Sequence, residues 1–392
     1  MTHRERCMAA IRGKKPDRLP WVPRLEFWHR VRLRHGTLPA ELRSLTLTEI
    51  TERLGVGCYS SVPDFTDRTR PDAMLDRGLG IFHHAVLPYR VTLQDVDRQV
   101  TQHGHETTVE YRTPVGSIRT TYGLTKEMLD AGVSMPWLSE HAIREPGDFD
   151  VVGYIFSHLK LEPDFAGYFA RREEVGERGV AVAFLLGTAC AIHHIMKELM
   201  PLEQFYYALY DYPEKVERLT EAITPFYQQL QEIGANSPAE VVFLGSNYDD
   251  SITYPPFFER HILPVLQNYA AALHKKGKYL MTHPDGENRR LLPLLLRAGF
   301  DIADSVCPYP MTSVRLEEFR DTFDDKVTIW GGIPATLLCP PSTNDDEFRR
   351  SIDELVGRYA GESHFILGVS DMVTADADWD RLLYITDRVA KG

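Results

Sequence analysis

The sequence predicts one α/β domain over residues 1–392, a (β/α)8 barrel with an N-terminal extension and an inserted β-hairpin. Short β-branched runs alternate with helical periods through the second half of the chain, which is typical of strand-helix units around a parallel sheet. A length of 392 residues suits one barrel with insertions. The composition, 43% hydrophobic and 26% charged, provides both a buried core and a wetted surface.

Barrel closure requires eight strands, and the sequence predicts six of them from short apolar runs. Two weaker candidates in the first sixty residues bring the count to eight. The six strands are expected at residues 180–186, 241–244, 278–282, 301–306, 327–330 and 364–368, and the two weaker ones at 19–23 and 56–60.

The stretch around residues 90–122 differs from the strand-helix pattern. Its segment "TTVEYRTPVGSIRTTYG" alternates polar and apolar residues about Thr113-Pro114 and Gly116, which predicts an antiparallel hairpin. The hairpin is an insert among the early units, and we expect it to cover or rim the mouth of the barrel.

Charge and composition exclude several classes of partner. The net charge is −12 and the basic residues are dispersed, which argues against nucleic acid. The first twenty residues lack the apolar core of a signal peptide, and no run approaches the ~18–20 apolar residues that span a bilayer. Five scattered cysteines are typical of a reducing compartment. The sequence therefore predicts a cytoplasmic protein that binds neither nucleic acid nor membrane.

Two consecutive predicted strands end on metal-binding side chains, His283 and Cys307. Strand carboxyl ends converge on the catalytic face of a barrel, and neighbouring ends lie ~5 Å apart. Zn²⁺ accepts both ligand types. Asp285, close to His283, and Asp371, after the last predicted strand, are the further expected ligands. Structural roles remain the alternative, because histidines cap carbonyls, thiols pack in cores and Asp-Gly forms turns.

Several segments resemble the uroporphyrinogen decarboxylase superfamily over nearly the whole chain. They are "RERCMAAIRGKKPDRLPWVPR", "KYLMTHPDGENRRLLPLLLRAGFDIADSVCPYP", "KVTIWGGIP" and "HFILGVSDM". The resemblance implies a (β/α)8 barrel, in a superfamily of decarboxylases and of zinc-dependent methyltransferases that serve corrinoid proteins. The decarboxylase motifs "MRQAGR" and "GHG" are replaced here by "WVPRLEFWHR" and "LGVSDM".

The methyltransferase branch carries a His-x-Cys pair where this chain has His283 and Asp285, while a thiol appears at the next strand end as Cys307. One thiolate instead of two makes the ion a harder Lewis acid, suited to polarising an oxygen. The segments "PRLEFW", "YRTPVG", "HPDGEN" and "ADSVCP" most resemble the subgroup found in anaerobic demethylation systems.

The resemblance implies metal-assisted transfer of a methyl group from a methoxylated or methylated small molecule to a corrinoid (cobalamin) protein. Arg24 and Asn247 are then expected to bind substrate, and Glu26, Tyr248 and Asp249 to act in catalysis. Loop hydrogen bonding is the alternative role for each of them.

Two other functions stay open. One is a decarboxylase (lyase) of a carboxylated substrate, for which Arg112 and Arg119 are the candidate extra cations. The other is a non-catalytic corrinoid-binding protein, which has no need of converging metal ligands. Homo-oligomer formation is also left open.

Overall fold

The computed structural model describes residues 1–66, 70 and 72–392. Contacts group the chain into two compact units. The first unit contains Met1–Val62, Arg171–Val182 and Glu240–Gly392, and the second unit contains Pro63–Ala170 and Ala183–Ala239. The expected single domain over residues 1–392 stays a prediction.

The elements are numbered in chain order. The strands are β1 (Tyr89–Leu93), β2 (Asp97–His103), β3 (Glu106–Thr113), β4 (Gly116–Gly123), β5 (Trp137–Glu140), β6 (Leu159–Pro163), β7 (Val182–Leu186), β8 (Val241–Ser246), β9 (Tyr279–His283), β10 (Ile302–Val306), β11 (Thr328–Ile333) and β12 (Phe365–Val369). The helices are α1 (His3–Ile11), α2 (Glu26–His35), α3 (Leu47–Leu54), α4 (Lys126–Asp130), α5 (Asp148–Ser157), α6 (Ala166–Val175), α7 (Ala191–His194), α8 (Leu202–Asp211), α9 (Pro213–Asn236), α10 (Pro255–Phe257), α11 (Leu263–His274), α12 (Leu292–Arg297), α13 (Leu316–Phe323), α14 (Asp345–Tyr359) and α15 (Trp379–Lys391).

A parallel sheet forms the wall of the barrel, in the order β12-β11-β10-β9-β8-β7. Two short segments close the ring. Trp21 pairs in parallel with Leu367 of β12, and the N–H of Gly57 donates to the carbonyl of Trp21 at 2.8 Å. Cys58 pairs in parallel with Gly179, shortly before β7. The ring therefore has the eight strand positions of a (β/α)8 barrel.

The six predicted strands are confirmed, with bounds that differ by at most three residues. The two weaker candidates occupy their expected places but form single bridges instead of full strands. The sheet strands are buried along their length, apart from the first residue of β9. Continuous apolar runs of this kind are expected where a parallel sheet is covered on both faces.

Amphipathic helices belong to the same strand-helix pattern. In α15 the buried residues Leu382, Ile385 and Val389 recur at spacings of three and four, which places them on one face. The side chain of Asp378 caps this helix by accepting from the backbone N–H groups of Asp380 and Arg381. No helix in the described part of the chain is both long and apolar enough to span a membrane.

The hairpin predicted around residues 90–122 is present in the second unit, but it is the centre of a larger sheet. Strands β3 and β4 pair from Thr113 and Gly116 outward, and the antiparallel sheet has the order β2-β3-β4-β5. The sequence missed the outer strands because β2 is exposed along nearly its whole length and β5 has only four residues, so neither shows clear alternation. The expected position at the barrel mouth stays a prediction.

Asp76 anchors this insert from within the second unit. Its buried carboxylate accepts hydrogen bonds from Arg98 of β2 at 2.7 Å and from the Tyr111 hydroxyl of β3 at 3.1 Å. The Nε2 of His83 lies 2.7 Å from the same carboxylate. A buried charge is tolerated when it is paired and hydrogen-bonded in this way.

Candidate active site at the carboxyl ends of the strands

The pairing of the first segment with β12 places Arg24 beside Asp371. The N–H of Val22 donates to the carbonyl of Leu367 at 2.9 Å, and the two segments then run in parallel to the carboxyl edge of the sheet. There Arg24 Nη1 donates to Asp371 Oδ1 at 3.0 Å. The N–H of Val373 donates to the carbonyl of Arg24 at 3.0 Å and fixes the turn after β12. Two residues far apart in sequence thus form a partly buried ion pair.

The register between β9 and β10 brings His283 to Asp304. Ala303 pairs with Thr282, so the next residue of each strand lies side by side. His283 Nδ1 is 2.9 Å from Asp304 Oδ2, and both side chains are buried. A carboxylate partner favours the proton on Nδ1 and leaves Nε2 to face the site. His283 Nε2 lies 3.7 Å from Asp371 Oδ1.

Burial and the neighbouring carboxylates determine the pKa of His283. Burial acts to lower the pKa of His283, but the hydrogen bond and charge of Asp304, with the charges of Asp371 and Asp285, raise it above its usual value. The imidazole therefore holds a proton more strongly than a free histidine does. A metal ion has to compete with that proton for Nε2.

Asp304 also binds Tyr59, whose hydroxyl donates to Asp304 Oδ2 at 2.8 Å. Burial, followed by the charge of Asp304, raises the pKa of Tyr59 well above its usual value, so the phenol stays protonated. The Arg24 guanidinium lies 5.1 Å from the centre of the Tyr59 ring. Asp304 Oδ1 is buried and makes no hydrogen bond among the described residues. Such an unpaired buried acceptor costs ~1–3 kcal/mol and is typical of functional sites.

Arg24 is the cation of this cluster. Burial acts to lower its pKa, but Tyr59, Asp371, Glu26 and Asp304 raise it, so the guanidinium stays charged. Glu26 begins α2, two residues after Arg24, and is partly buried. The charge of Glu26 contributes to the raised pKa of Arg24. This predicted catalytic residue therefore interacts electrostatically with the cluster.

Cys307 follows β10 and interacts with Asp285 in the turn after β9. Burial, followed by the charge of Asp285, raises the pKa of Cys307 to about 12. The Sγ atom also lies 3.9 Å from the Sδ of Met311. In the absence of a bound cation, Cys307 is therefore a protonated, buried thiol at neutral pH.

The predicted zinc ligands fit the ion in chemical type and, in part, in spacing. A nitrogen and an oxygen ligand of a tetrahedral zinc lie roughly 3.3–3.5 Å apart. His283 Nε2 and Asp371 Oδ1 are 3.7 Å apart, slightly more than that spacing. Among residues 1–66, 70 and 72–392, however, no group of three or more His, Cys, Asp or Glu side chains is arranged to hold a metal. A complete site requires Cys307 and Asp285 to approach the first pair.

The two residues directly after β8 lie in different environments. Asn247 is exposed, has a φ of 59°, and donates its backbone N–H to the carbonyl of His283 at 2.8 Å. Tyr248 is fully buried, and its hydroxyl is 3.0 Å from Thr282 Oγ1. Asn247 therefore borders His283, whereas the Tyr248 hydroxyl lies in the core.

Asp249 stabilises the loop that follows. Its Oδ1 accepts from the N–H of Ser251 at 2.8 Å, and its Oδ2 accepts from the N–H of Glu287 at 3.1 Å. Although burial acts to raise the pKa of Asp249, the hydrogen bond from the Ser251 hydroxyl, followed by these backbone hydrogen bonds, lowers it below its usual value. The contacts of the carboxylate are those of a loop cap, and its predicted catalytic role stays a prediction.

The structure adds two residues to the site that the sequence did not single out, Tyr59 and Asp304. A signal for Asp304 was present, since a carboxylate within the apolar strand "IADSV" is unusual. Tyr59 had no comparable signal, because a tyrosine in a short apolar segment is ordinary. Together with Arg24, His283 and Asp371 they form a polar cluster that can orient a small polar molecule and hold protons at defined atoms.

Comparison with known proteins agrees with the barrel architecture. The model of the family described as "Uroporphyrinogen decarboxylase (URO-D)" matches residues 170–391, more than half of the chain. No curated protein matches the sequence. Among solved structures, a methyltransferase from Methanosarcina mazei matches with 12% identity and a TM-score of 0.53, over 100% of this chain and 99% of that chain. At this identity the likeness concerns the fold alone.

Proposed function

Because the chain belongs to the uroporphyrinogen decarboxylase (URO-D) family, we propose that it is a methyltransferase of that family. Its reaction moves a methyl group from a methoxylated or otherwise methylated small molecule to a corrinoid protein. The solved protein of similar fold carries the name methyltransferase. The observation that supports the proposal most directly is the buried pair of His283 and Asp304 at the carboxyl ends of β9 and β10.

The site has too little positive charge for a substrate with many carboxylates. Carboxylate recognition of that strength requires several arginines. In the polar cluster the cation is Arg24, and its Nη1 already donates to Asp371. The extra cations considered for a decarboxylase are also paired within their own sheet, Arg112 with Glu110 and Arg119 with Glu140. These pairs favour the methyltransferase over the decarboxylase.

We assign zinc to His283, Cys307, Asp285 and Asp371 as part of the proposal. Bound zinc supplies a Lewis acid that stabilises the leaving oxygen of a methyl ether, a poor leaving group when its conjugate acid has a pKa near ~10. Asp304 keeps the Nδ1 proton of His283 in place and directs Nε2 toward the site. Arg24 and Asn247 border the same space and orient the methyl donor.

Correct positioning of the methyl donor and the cobalt provides the remaining acceleration of the reaction. Holding the methyl carbon in line with the cobalt of the corrinoid protein makes the transfer effectively unimolecular within the complex. Glu26 adds to the larger effects of Tyr59 and Asp371 in raising the pKa of Arg24 against the effect of burial, and the guanidinium of Arg24 in turn holds Asp371. The residues thus hold the donor, while the partner protein brings the acceptor.

The test is an assay of methyl transfer from a donor to a reduced corrinoid protein, catalysed by the purified chain. The change in the absorption spectrum of the cobalt centre monitors the reaction. Aryl methyl ethers, alkyl methyl ethers and methylamines serve as separate donor series. We expect transfer from at least one ether series and loss of transfer in His283→Ala. The exposed His103 of β2 provides the matched control, and His103→Ala should retain full activity.

A corrinoid-binding protein without catalysis predicts a different result. It binds the corrinoid protein with wild-type affinity in both histidine variants and transfers no methyl group from any donor. That outcome, obtained with correctly folded protein, would reject the proposed activity.

A further inference from the structure

A small cavity lies within the first unit at the amino-terminal end of the first strand segment, away from Arg24 at the carboxyl end. Its volume is about 130 Å³, comparable to the ~150 Å³ cavity size that holds benzene in a protein core. The residues lining it come from α1, the segment that ends at Trp21, the end of α3, and α15. They include His3, Arg6, Arg18, Trp21, Thr386 and Val389, and we refer to the space as the Arg18 cavity.

The Arg18 cavity has an excess of positive charge. Arg6 donates from Nε and Nη2 to Asp17 at 2.6 and 3.0 Å, so one carboxylate neutralises one guanidinium. Arg18 makes no ion pair and no hydrogen bond in the described residues, although its side chain is partly buried. An unpaired guanidinium beside a second one is unusual in a chain of net charge −12.

The lowered pKa of His3 agrees with an excess of positive charge around the cavity. Burial, followed by the charges of Arg6 and Arg18, lowers the pKa of His3 to about 4. At neutral pH the imidazole is therefore uncharged and has one N–H to donate. Burial, followed by Arg6, also lowers the pKa of Arg18. The charge of Asp17 partly offsets the effect of the arginine charges at both residues, and a bound anion would offset it further.

We propose that the Arg18 cavity binds a tetrahedral oxyanion, either inorganic phosphate or the phosphate group of a compact ester. A carboxylate has two oxygens, which a single arginine fork can occupy. Here two arginines and a histidine line one space from separate positions, an arrangement that suits an ion with oxygens in several directions. The volume accommodates a phosphate and few additional atoms.

The site is independent of methyl transfer. Trp21 lies between the two regions in sequence, with its Nε1 donating to Thr386 of α15 at 3.1 Å. A bound anion would link α1 to the first strand segment through His3, Arg6 and Arg18. Of these, Arg18 makes no hydrogen bond in the described residues without the anion. The consequence is a ligand-dependent gain in stability.

Calorimetric titration of the full chain with inorganic phosphate, at constant ionic strength in a buffer free of phosphate and sulfate, tests the proposal. We expect saturable binding of about one phosphate per chain and a parallel rise in melting temperature. Arg18→Gln should weaken binding about tenfold or more, the loss expected for hydrogen bonds to a charged group. Glycerol phosphate binding more tightly than phosphate identifies an ester as the ligand, and equal binding identifies the free ion.

Two controls separate this site from general charge effects. Arg12→Gln removes an exposed arginine of the same segment, which pairs with Glu240, and should leave phosphate affinity unchanged. In phosphate-free buffer, Arg18→Gln should melt no lower than wild type, because the repulsion between Arg18 and Arg6 outweighs the attraction between Arg18 and Asp17, and the substitution removes no hydrogen bond among the described residues. Absence of saturable binding, equal affinity in both variants, or acetate binding as tightly as phosphate would overturn the proposal.

Discussion

His283 and Asp304 lie side by side at the carboxyl ends of neighbouring strands, with Nδ1 2.9 Å from Oδ2. This contact fixes which imidazole nitrogen faces the site. It also places the negative charge of Asp304 in a fully buried position, where Tyr59 provides a second hydrogen bond. The pair is therefore expected to matter more for the reaction than for the stability of the barrel.

Replacing this carboxylate should reduce metal content and activity together. In Asp304→Asn the amide no longer holds the Nδ1 proton through a charged acceptor, and changes of this kind cost about 10- to 100-fold in metal affinity or activity. Metal analysis and the methyl-transfer assay measure the two effects. Tyr59→Phe removes one neutral hydrogen-bond donor to Asp304 and should reduce metal content and activity less than Asp304→Asn does.

The circular dichroism spectrum of Asp304→Asn should match that of wild type, because the ring of strands does not depend on this side chain. If the variant keeps both its metal and its full activity, the His283–Asp304 contact has only a structural role.

The zinc assignment predicts about one zinc per purified chain. His283→Ala and Cys307→Ala should each lose most of the metal, because removing one ligand weakens a site of three or four. Cys190→Ala replaces a buried thiol of the second unit, and its metal content should equal that of wild type. Elemental analysis of anaerobically purified protein provides the measurement. A metal-free wild type with full methyl transfer contradicts the assignment.

The missing arginine-rich and histidine motifs predict no uroporphyrinogen decarboxylation. Uroporphyrinogen III incubated anaerobically with the purified chain should be recovered unchanged, because one paired arginine cannot bind eight carboxylates. Chromatography of the oxidised porphyrins measures the outcome, with an active decarboxylase as the positive control. Formation of coproporphyrinogen at an enzymatic rate would contradict this prediction.

His3 predicts a loss of stability in mild acid. Its pKa is about 4 in the folded chain, because of burial and the nearby arginines, against 6.5 for a free histidine. Between these values the unfolded chain binds more protons, so stability falls as pH decreases from 6.5 and the loss is complete below 4. His3→Gln, which cannot titrate, should melt with a shallower pH dependence over this range.

Melting curves of wild type and His3→Gln at several pH values give the comparison. The difference between the two proteins should be nearly constant above pH 7 and should change in favour of His3→Gln toward pH 4. Parallel curves across the whole range would show that His3 titrates normally in the folded chain.

The sequence by itself determined the repeated strands and the hairpin. The six barrel strands were predictable because each is a short apolar run between polar turns, and such runs form buried parallel strands wherever they are placed. The turn of the hairpin was predictable from Thr113-Pro114 and Gly116. The strand ends at His283 and Cys307 followed from the same local patterns.

Only the tertiary structure decided which side chains meet. Asp304 lies beside His283 because Ala303 pairs with Thr282, and Arg24 reaches Asp371 because the first segment pairs with β12. These registers depend on hydrogen bonds between segments tens to hundreds of residues apart, and local sequence patterns do not specify them. The burial of Tyr248 has the same origin, since it depends on neighbours that distant parts of the chain provide.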